Sequence, residues 1–228
     1  MKILVLIPAR GGSKRLPKKN IRHLGGVPLI KWSIDIAKLI PEVCDILVST
    51  DDTEIRDITQ GLGAYVPWFR PKELSGDTST SVSVALHALD WYELNHGNVD
   101  GLLMLQPTSP FRSLEKIREG IEMFSKKNIN SILGVSPTHS HPGWAFKIKG
   151  NGLIPFLEKH ELNTRSQDLE PAYIINGSFY LISPYTLRKE KSFFTKESKS
   201  LVANSNIESL DIDTEEDWQY AEYCLHNS

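Results

Sequence analysis

Ile3-Leu4-Val5-Leu6-Ile7 runs without a polar residue into Pro8-Ala9-Arg10-Gly11-Gly12-Ser13-Lys14. The first half of this stretch decides the fold, and the second points to the site. A continuous branched apolar run closed by a proline is the pattern of a strand buried on both faces. As the core of a signal peptide, residues 3–9 are too short. They also contain Pro8 and lead into Arg10, Lys14 and Arg15 rather than a small-residue cleavage site.

Outward from this strand, the same pattern returns at residues 45–50, 101–105 and 131–135. Helical periodicity lies between the runs. Leu29, Trp32, Ile36 and Leu39 are expected on one helix face, and Val82, Leu86 and Leu89 on another. Helices are also expected at 52–62, capped by Asp51 or Asp52, and at 114–125, capped by Ser113. Strands alternating with helices predict an α/β fold, a mostly parallel sheet with helices on both faces. Ligands bind such sheets beyond the carboxyl ends of the strands.

Residues 139–175 break the rhythm with Pro142, Gly143, Gly150, Gly152 and Pro155 and with hairpin-like pieces such as 145–148. This is longer than an ordinary connection and reads as an insertion, leaving 1–138 and 176–228 as the core. As a protruding arm with Trp144 and Phe146 it fits a dimer contact as well as it fits a surface excursion. Residues 178–182 read as a strand, and 214–225 as a closing helix capped by Thr214.

Composition narrows the class. With 40% apolar residues and a net charge of −2, the chain is a folded globule and not a disordered or general polyanion-binding protein. Cys44 and Cys224 stand far apart without CxxC spacing, so neither a disulfide framework nor a zinc site is indicated. His23, His87, His96, His139, His141, His160 and His226 show no metal spacing. No run approaches the roughly 18 apolar residues of a membrane span, and a cytoplasmic protein is expected.

The neutral average hides one concentration of charge. Arg10, Lys14, Arg15, Lys18, Lys19 and Arg22 put six cations among thirteen residues with no acid between them. Gly11 and Gly12 open this loop and are expected to turn backbone N–H groups onto an anion. Placed after the first strand, such a loop suits a triphosphate, although it is neither a P-loop nor a GxGxxG turn. A second constellation is Asp211-Ile212-Asp213-Thr214. At a period of two, both carboxylates face one side and suit a magnesium ion, while helix capping is an equal alternative from spacing alone. A third is Leu105-Gln106-Pro107-Thr108-Ser109-Pro110-Phe111-Arg112, directly after the strand at 101–105, where two prolines stiffen the loop and hold Gln106 outward. A fourth, residues 69–81, offers Arg70 to a phosphate or base and Ser81 as N-cap or base contact.

Taken together, these motifs resemble the CMP-sialic acid synthetase (acylneuraminate cytidylyltransferase) family, including its CMP-legionaminic acid synthase branch. The matching residues are 7–14, Lys19-Asn20, Ser49-Thr50-Asp51, Arg70-Pro71 through Leu74, 106–110, Asn176-Gly177 and 211–214, in the family's order across nearly the whole chain. The resemblance implies a Rossmann-like nucleotidyltransferase fold, a homodimer, and transfer of CMP from CTP to a nine-carbon keto-sugar acid. Carried over by position, Arg10, Gly11, Gly12, Ser13, Lys14, Lys19 and Asn20 would hold the phosphates and ribose region, with Arg70 and Ser81 near the cytidine. Asp211 and Asp213 would bind magnesium and, with Arg10 and Lys19, form the catalytic set. Gln106, Asn176, Tyr180, Phe193 and Phe194 would line the sugar side, and residues 139–175 would be the dimerisation arm carrying Arg165 to the partner's sugar carboxylate.

Two departures concern the sugar. Sialate-specific members tend to carry a lysine where Pro142-Gly143-Trp144 stand, and an arginine where Ile174-Ile175 precede Asn176. The more apolar pocket leans toward a legionaminic-type acid, with sialate next and with Lys147 or Lys149 as replacements for the lysine. CMP-3-deoxy-octulosonate synthetase shares the fold and reaction but usually lacks the Gly-Gly-Ser-Lys run. A non-catalytic nucleotide-binding protein of this fold would not need Arg10, Lys19, Asp211 and Asp213 together.

Overall fold

The computed structural model describes residues 1–157 and 163–227, so part of the insertion lies outside the described residues. Ten strands and six helices alternate along these residues: β1 (Ile3–Pro8), β2 (His23–Leu24), β3 (Val27–Pro28), α1 (Leu29–Lys38), β4 (Val43–Ser49), α2 (Thr53–Gly61), α3 (Ser81–His96) and β5 (Gly101–Met104) come first. Then follow α4 (Leu114–Phe124), β6 (Ser131–Pro137), β7 (Phe146–Lys149), β8 (Gly152–Pro155), β9 (Tyr173–Ile182), α5 (Pro184–Glu190), β10 (Lys199–Val202) and α6 (Glu215–His226). The main sheet has the order β10-β6-β9-β5-β1-β4. Its strands are parallel except β9, which is antiparallel to both β5 and β6.

β1 is buried on both faces, as its sequence requires. Ile3, Val5 and Ile7 enter one core with α1, α2 and α4, while Leu4 and Leu6 enter the other with α3 and α5. A third cluster joins Leu16, Leu24 and Leu29 to Ile212, Trp218 and Ala221, tying the N-terminal loop to α6. Strand order reverses at β1, with β4 on one side and β5 on the other. Such a switch point opens a crevice beyond the strand ends. No helix among the described residues is long and apolar enough to cross a membrane.

Three expectations are corrected by packing. The buried face of α1 is Leu29, Ile30, Ser33, Ile34 and Ala37; Leu39 is exposed, and Trp32 and Ile36 are half-buried. Small residues let α1 approach the sheet closely, so the largest side chains do not mark its inner face. The strand expected at 178–182 starts at Tyr173, because β9 begins inside the predicted insertion and continues through an irregularity opposite Gly134. Gly177 there has φ +76°, and a Cβ on Gly134 would come within 2.7 Å of the Ser178 hydroxyl. Thr80, not Ser81, caps α3, accepting from the Ser83 amide at 3.1 Å.

The predicted caps Asp52, Ser113 and Thr214 stand at α2, α4 and α6. At α6 the Asp217 carboxylate accepts from the amides of Asp213 at 3.0 Å and Thr214 at 2.8 Å. Asp217→Ala therefore frays α6 and loosens Asp213. A loss of about 1–2 kcal/mol is expected, read as a lower urea midpoint; an unchanged midpoint would refute this account of the cap.

Candidate active site

The basic loop lies across the carboxyl end of β1, where two internal contacts shape it. The Asn20 side-chain amide donates to the Arg10 carbonyl at 2.9 Å, and Lys18 takes a left-handed φ of 54° that turns the chain into a tight 3-10 turn at Lys19–Ile21. The glycine expectation is corrected. Neither Gly11 nor Gly12 has positive φ, and the Gly11 N–H already donates to Asp51 at 2.9 Å. Glycine is needed at 11 because a Cβ would stand 2.6 Å from the Asp52 carboxylate.

All six cations of the loop meet carboxylates from distant segments. Lys18 pairs with Glu54 at 2.6 Å, and Arg22 with Glu215 while lying over the Trp218 ring. Arg10 and Lys14 share Asp77; Arg15 and Lys19 share Asp213. These last four cations, with Pro8, Ser13, Asn20, Gln106, Pro107 and Thr108, line a cleft of about 370 Å³. Lys19 is buried, and its ammonium donates to the Ile212 carbonyl at 2.9 Å and Asp213 at 2.7 Å.

The segment 211–213 is extended and pinned, with the Ile212 amide donating to the Thr108 carbonyl at 2.8 Å. Ile212 is fully buried between its two more exposed neighbours, as alternation requires. Burial and the nearby Asp213 charge push the Asp211 carboxyl above its ordinary range, against a hydrogen bond from Thr108. Partial burial acts the same way on Asp213, but the hydrogen bonds and charges of Lys19 and Arg15 outweigh it and hold that carboxyl low. Two carboxylates two residues apart, the charge of Asp213 acting on Asp211, supply the oxygen donors that suit a hard divalent cation. Mg²⁺ is commonly held by one or two carboxylates plus substrate phosphates and water, and among the described residues no third acidic, His or Cys side chain joins them.

Arg70 does not reach into the cleft. It is buried, donating from Nε to the Ser49 hydroxyl at 3.0 Å and from the fork to the Ser49 carbonyl, and burial lowers its pKa to about 10. It thus fixes the end of β4 behind Asp51. Ser81 is exposed in the first turn of α3.

On the other side of the cleft, Gln106 lies over Gly177, where a Cβ would stand 2.8 Å from its Oε1. Asn176 is buried with its Nδ2 unpartnered, while its Oδ1 accepts from the Ser178 amide at 3.1 Å. Tyr180 packs on Phe193 with ring centroids 5.3 Å apart. Phe193 is a core residue whose carbonyl accepts from Ser131 at the start of β6, and Phe194 is exposed; neither lines this cleft. Arg165 is exposed on the inserted segment.

Sequence reasoning passed over Arg112 and Asp77. The Arg112 guanidinium donates to the Ser178 carbonyl at 2.6 Å, the Ser33 hydroxyl at 3.0 Å and the Gln106 carbonyl. It clamps the 106–110 loop to β9, and burial lowers its pKa to about 9, so it remains charged at neutral pH. Its only sequence signal was an arginine closing a proline-stiffened loop.

The family model for cytidylyltransferases matches residues 4–225. The chain belongs to the cytidylyltransferase family. It is 42% identical to the CMP-N,N'-diacetyllegionaminic acid synthase of Legionella pneumophila, over 99% of this chain and 97% of that one. It is 31% identical to the pseudaminic acid cytidylyltransferase of Campylobacter jejuni, over 97% and 95%. An N-acylneuraminate cytidylyltransferase of Streptococcus agalactiae is 36% identical, over 96% of this chain and 52% of its own length. A CMP:2-keto-3-deoxy-manno-octonic acid synthetase complexed with CTP superimposes with a TM-score of 0.73 over 100% of this chain and 99% of that chain, at 15% identity, showing the shared fold. The protein is a nucleotidyltransferase, and the Rossmann-like expectation holds.

The raised Asp211 carboxyl of this cytidylyltransferase gives a stability test. A carboxyl whose folded pKa is raised contributes stability below its unfolded pKa and loses it as pH rises through the folded one. Asp211→Asn removes that cost, so Tm at pH 7 is expected to rise by about 1–3 °C, and the gain to shrink near the unfolded carboxyl value of about 3.9. Thermal melts at pH 7 and pH 4 check this, and a gain independent of pH would contradict it.

Proposed function

We propose that this enzyme transfers CMP from CTP to a nonulosonic acid of the legionaminic type. The carrying observation is the cleft at β1, where four cations share the carboxylates of Asp77 and Asp213, the second of them two residues from Asp211. Arg10, Lys14 and Lys19, with Ser13 and the backbone at Gly12, hold the phosphates; Gly11 shapes the loop, and Asn20 steadies Arg10. Arg70 and Ser81 flank the base, Arg70 by supporting the end of β4. Asp211 and Asp213 hold Mg²⁺, which when bound supplies charge to the α-phosphate and acidifies the attacking hydroxyl.

The sugar's C2 hydroxyl oxygen bonds to the α-phosphorus as the bond to the β-phosphate oxygen breaks. The hydroxyl proton is released, and pyrophosphate carries away the electron pair. Such a transfer depends on positioning and charge stabilisation rather than a covalent nucleophile. Lys19, fixed by Ile212 and Asp213, offers a preorganised charge to the phosphates.

On the sugar side, the unpartnered Asn176 donor supports contact with a substrate acceptor, since buried polar groups are rarely left unpaired. Tyr180 on β9 and Gln106 on the loop facing it stand nearby, with Arg165 of the partner subunit completing the sugar side; Phe193 backs Tyr180 from the core and does not touch the sugar. Ile174 and Ile175 pair with Ser136 and Val135 at the carboxyl end of β6 and are exposed. Apolar side chains there suit a deoxygenated, acetamido-bearing sugar tail better than a glycerol tail. Lys147 lies over the Phe156 ring on the hairpin, which argues against its replacing the lysine of sialate-specific members. A panel of nonulosonic acids with CTP and Mg²⁺, read as pyrophosphate release, is expected to favour legionaminate at least tenfold in kcat/KM. A sialate preference would overturn the sugar assignment, and no release with any acid would overturn the reaction.

The β7–β8 hairpin supports a homodimer. Phe146, Ile148, Leu153 and Ile154 are exposed on a two-stranded ribbon, with exposed Phe156 just beyond it. An isolated ribbon is marginal in water, and a patch of this kind marks an interface. We infer that a second copy covers it. Ile148→Asp, at a residue 78% exposed, leaves the fold intact. Sedimentation is expected to show monomers, with sugar turnover reduced at least tenfold; an unchanged dimer would rule the hairpin out as the interface.

A further inference from the structure

Of the six cations in the basic loop, Lys18 and Arg22 each have a carboxylate of their own, Glu54 and Glu215. The four that line the cleft are shared in pairs, and the carboxylate holding Arg10 and Lys14 is Asp77. We propose that Asp77 is a displaceable counter-anion of the triphosphate site, holding Arg10 and Lys14 in place and competing with CTP and pyrophosphate for them. This rests on the reading of Arg10 and Lys14 as phosphate ligands.

Asp77 belongs to a segment fixed at both ends. The Arg70 amide donates to the Thr50 carbonyl at 2.7 Å, and Thr80 caps α3. Between them the polar contacts are internal: Leu74 to Pro71, Ser75 to Lys72 and Pro71, Ser79 to Glu73 and Gly76. The two ion pairs of Asp77 thus join this segment to the basic loop and leave its anchors independent of them. Gly76 has open space around its Cβ position, so the neighbouring backbone is not wedged.

The pairing makes little sense as a structural bridge. Asp77 is 54% exposed, and its partners Arg10 and Lys14 are 38% and 77% exposed. Pairs as exposed as these contribute little to folding. Its position counts for more than its strength, because it covers two cations in the cleft with a single negative charge. A triphosphate offers several anionic oxygens to the same cations and displaces one carboxylate. After transfer, the same carboxylate competes with the departing pyrophosphate and speeds its exit. The hydrogen bonds from Lys14 and Arg10 also hold the Asp77 carboxyl below its ordinary range, so it remains an anion at neutral pH.

Asp77→Asn keeps the shape and removes the charge. Titration calorimetry with CTP, and separately with inorganic pyrophosphate, both with Mg²⁺ and no sugar, reads the effect. Binding of each is expected to tighten about three- to tenfold, and inhibition by pyrophosphate to strengthen in step. In the Lys14→Ala background the effect of Asp77→Asn is expected to shrink, because one of the contested cations is gone. Unchanged or weaker binding by Asp77→Asn overturns the proposal, a weaker result marking Asp77 as a ligand in its own right. Lys14→Ala alone separates the two readings. If it fails to weaken pyrophosphate binding, the phosphate assignment falls; if it weakens binding while Asp77→Asn does not tighten it, only the counter-anion falls. Asp77→Ser, with Tm compared to the parent, guards against a local folding defect.

Discussion

Lys19 is buried at the end of the basic loop, and its ammonium is satisfied by the Ile212 carbonyl and the Asp213 carboxylate. A buried ammonium stripped of its partners costs several kcal/mol. The loop after the first strand and the segment before the last helix must therefore form together. Ile212 contributes the second half of this constraint by entering the core cluster of Leu16, Leu24, Leu29 and Trp218. Its amide adds a third tie, to Thr108 after β5. Three regions far apart in sequence thus converge over the carboxyl end of β1. Without that convergence, neither the aspartate pair nor the cations would stand at the switch point of the sheet.

The strands were legible because their burial is local information. Ile3-Leu4-Val5-Leu6-Ile7 feeds two cores from alternate residues, and a chain buried on both sides has no place for a polar residue. The helices were legible in position but less so in facing. Around α1, the residues that pack closest include Ser33 and Ala37, whose small size a count of large apolar side chains ignores. The first half of β9 escaped for a related reason. Tyr173, Ile174 and Ile175 are exposed in succession, and the left-handed Gly177 breaks the period of two. An irregularity set by a partner strand leaves little trace in the strand's own sequence.

The site was half legible by the same logic. Six cations in thirteen residues announce themselves. Their counter-ions do not, because Glu54, Asp77 and the pair Asp213 and Glu215 come from three separate segments and meet the loop only through the fold. Arg70 and Arg112 show the opposite difficulty. Each stands in a motif facing the site, yet each turns its guanidinium onto backbone carbonyls and serine hydroxyls behind it. Their work is to fix the ends of β4 and β5, a role that residue type alone cannot distinguish from ligand binding. Gly11 is similar: its missing side chain makes room for Asp52 rather than for a phosphate.

Such compensation matters for transfer of a highly charged group. Four cations crowded without carboxylates would repel one another and spread apart, and bringing them together on substrate would draw on binding energy. Held by Asp77 and Asp213, they stand in place already, so on the proposed reading exchanging carboxylate oxygens for phosphate oxygens would need little reorganisation. The two carboxylates differ in setting. Asp213 lies beside Asp211, where the proposed divalent cation would relieve the crowding of negative charge, whereas Asp77 meets only the two cations of the loop. A net charge of −2 over the chain is compatible with polyanion chemistry for this reason: the excess positive charge is confined to one cleft and already met there by acids.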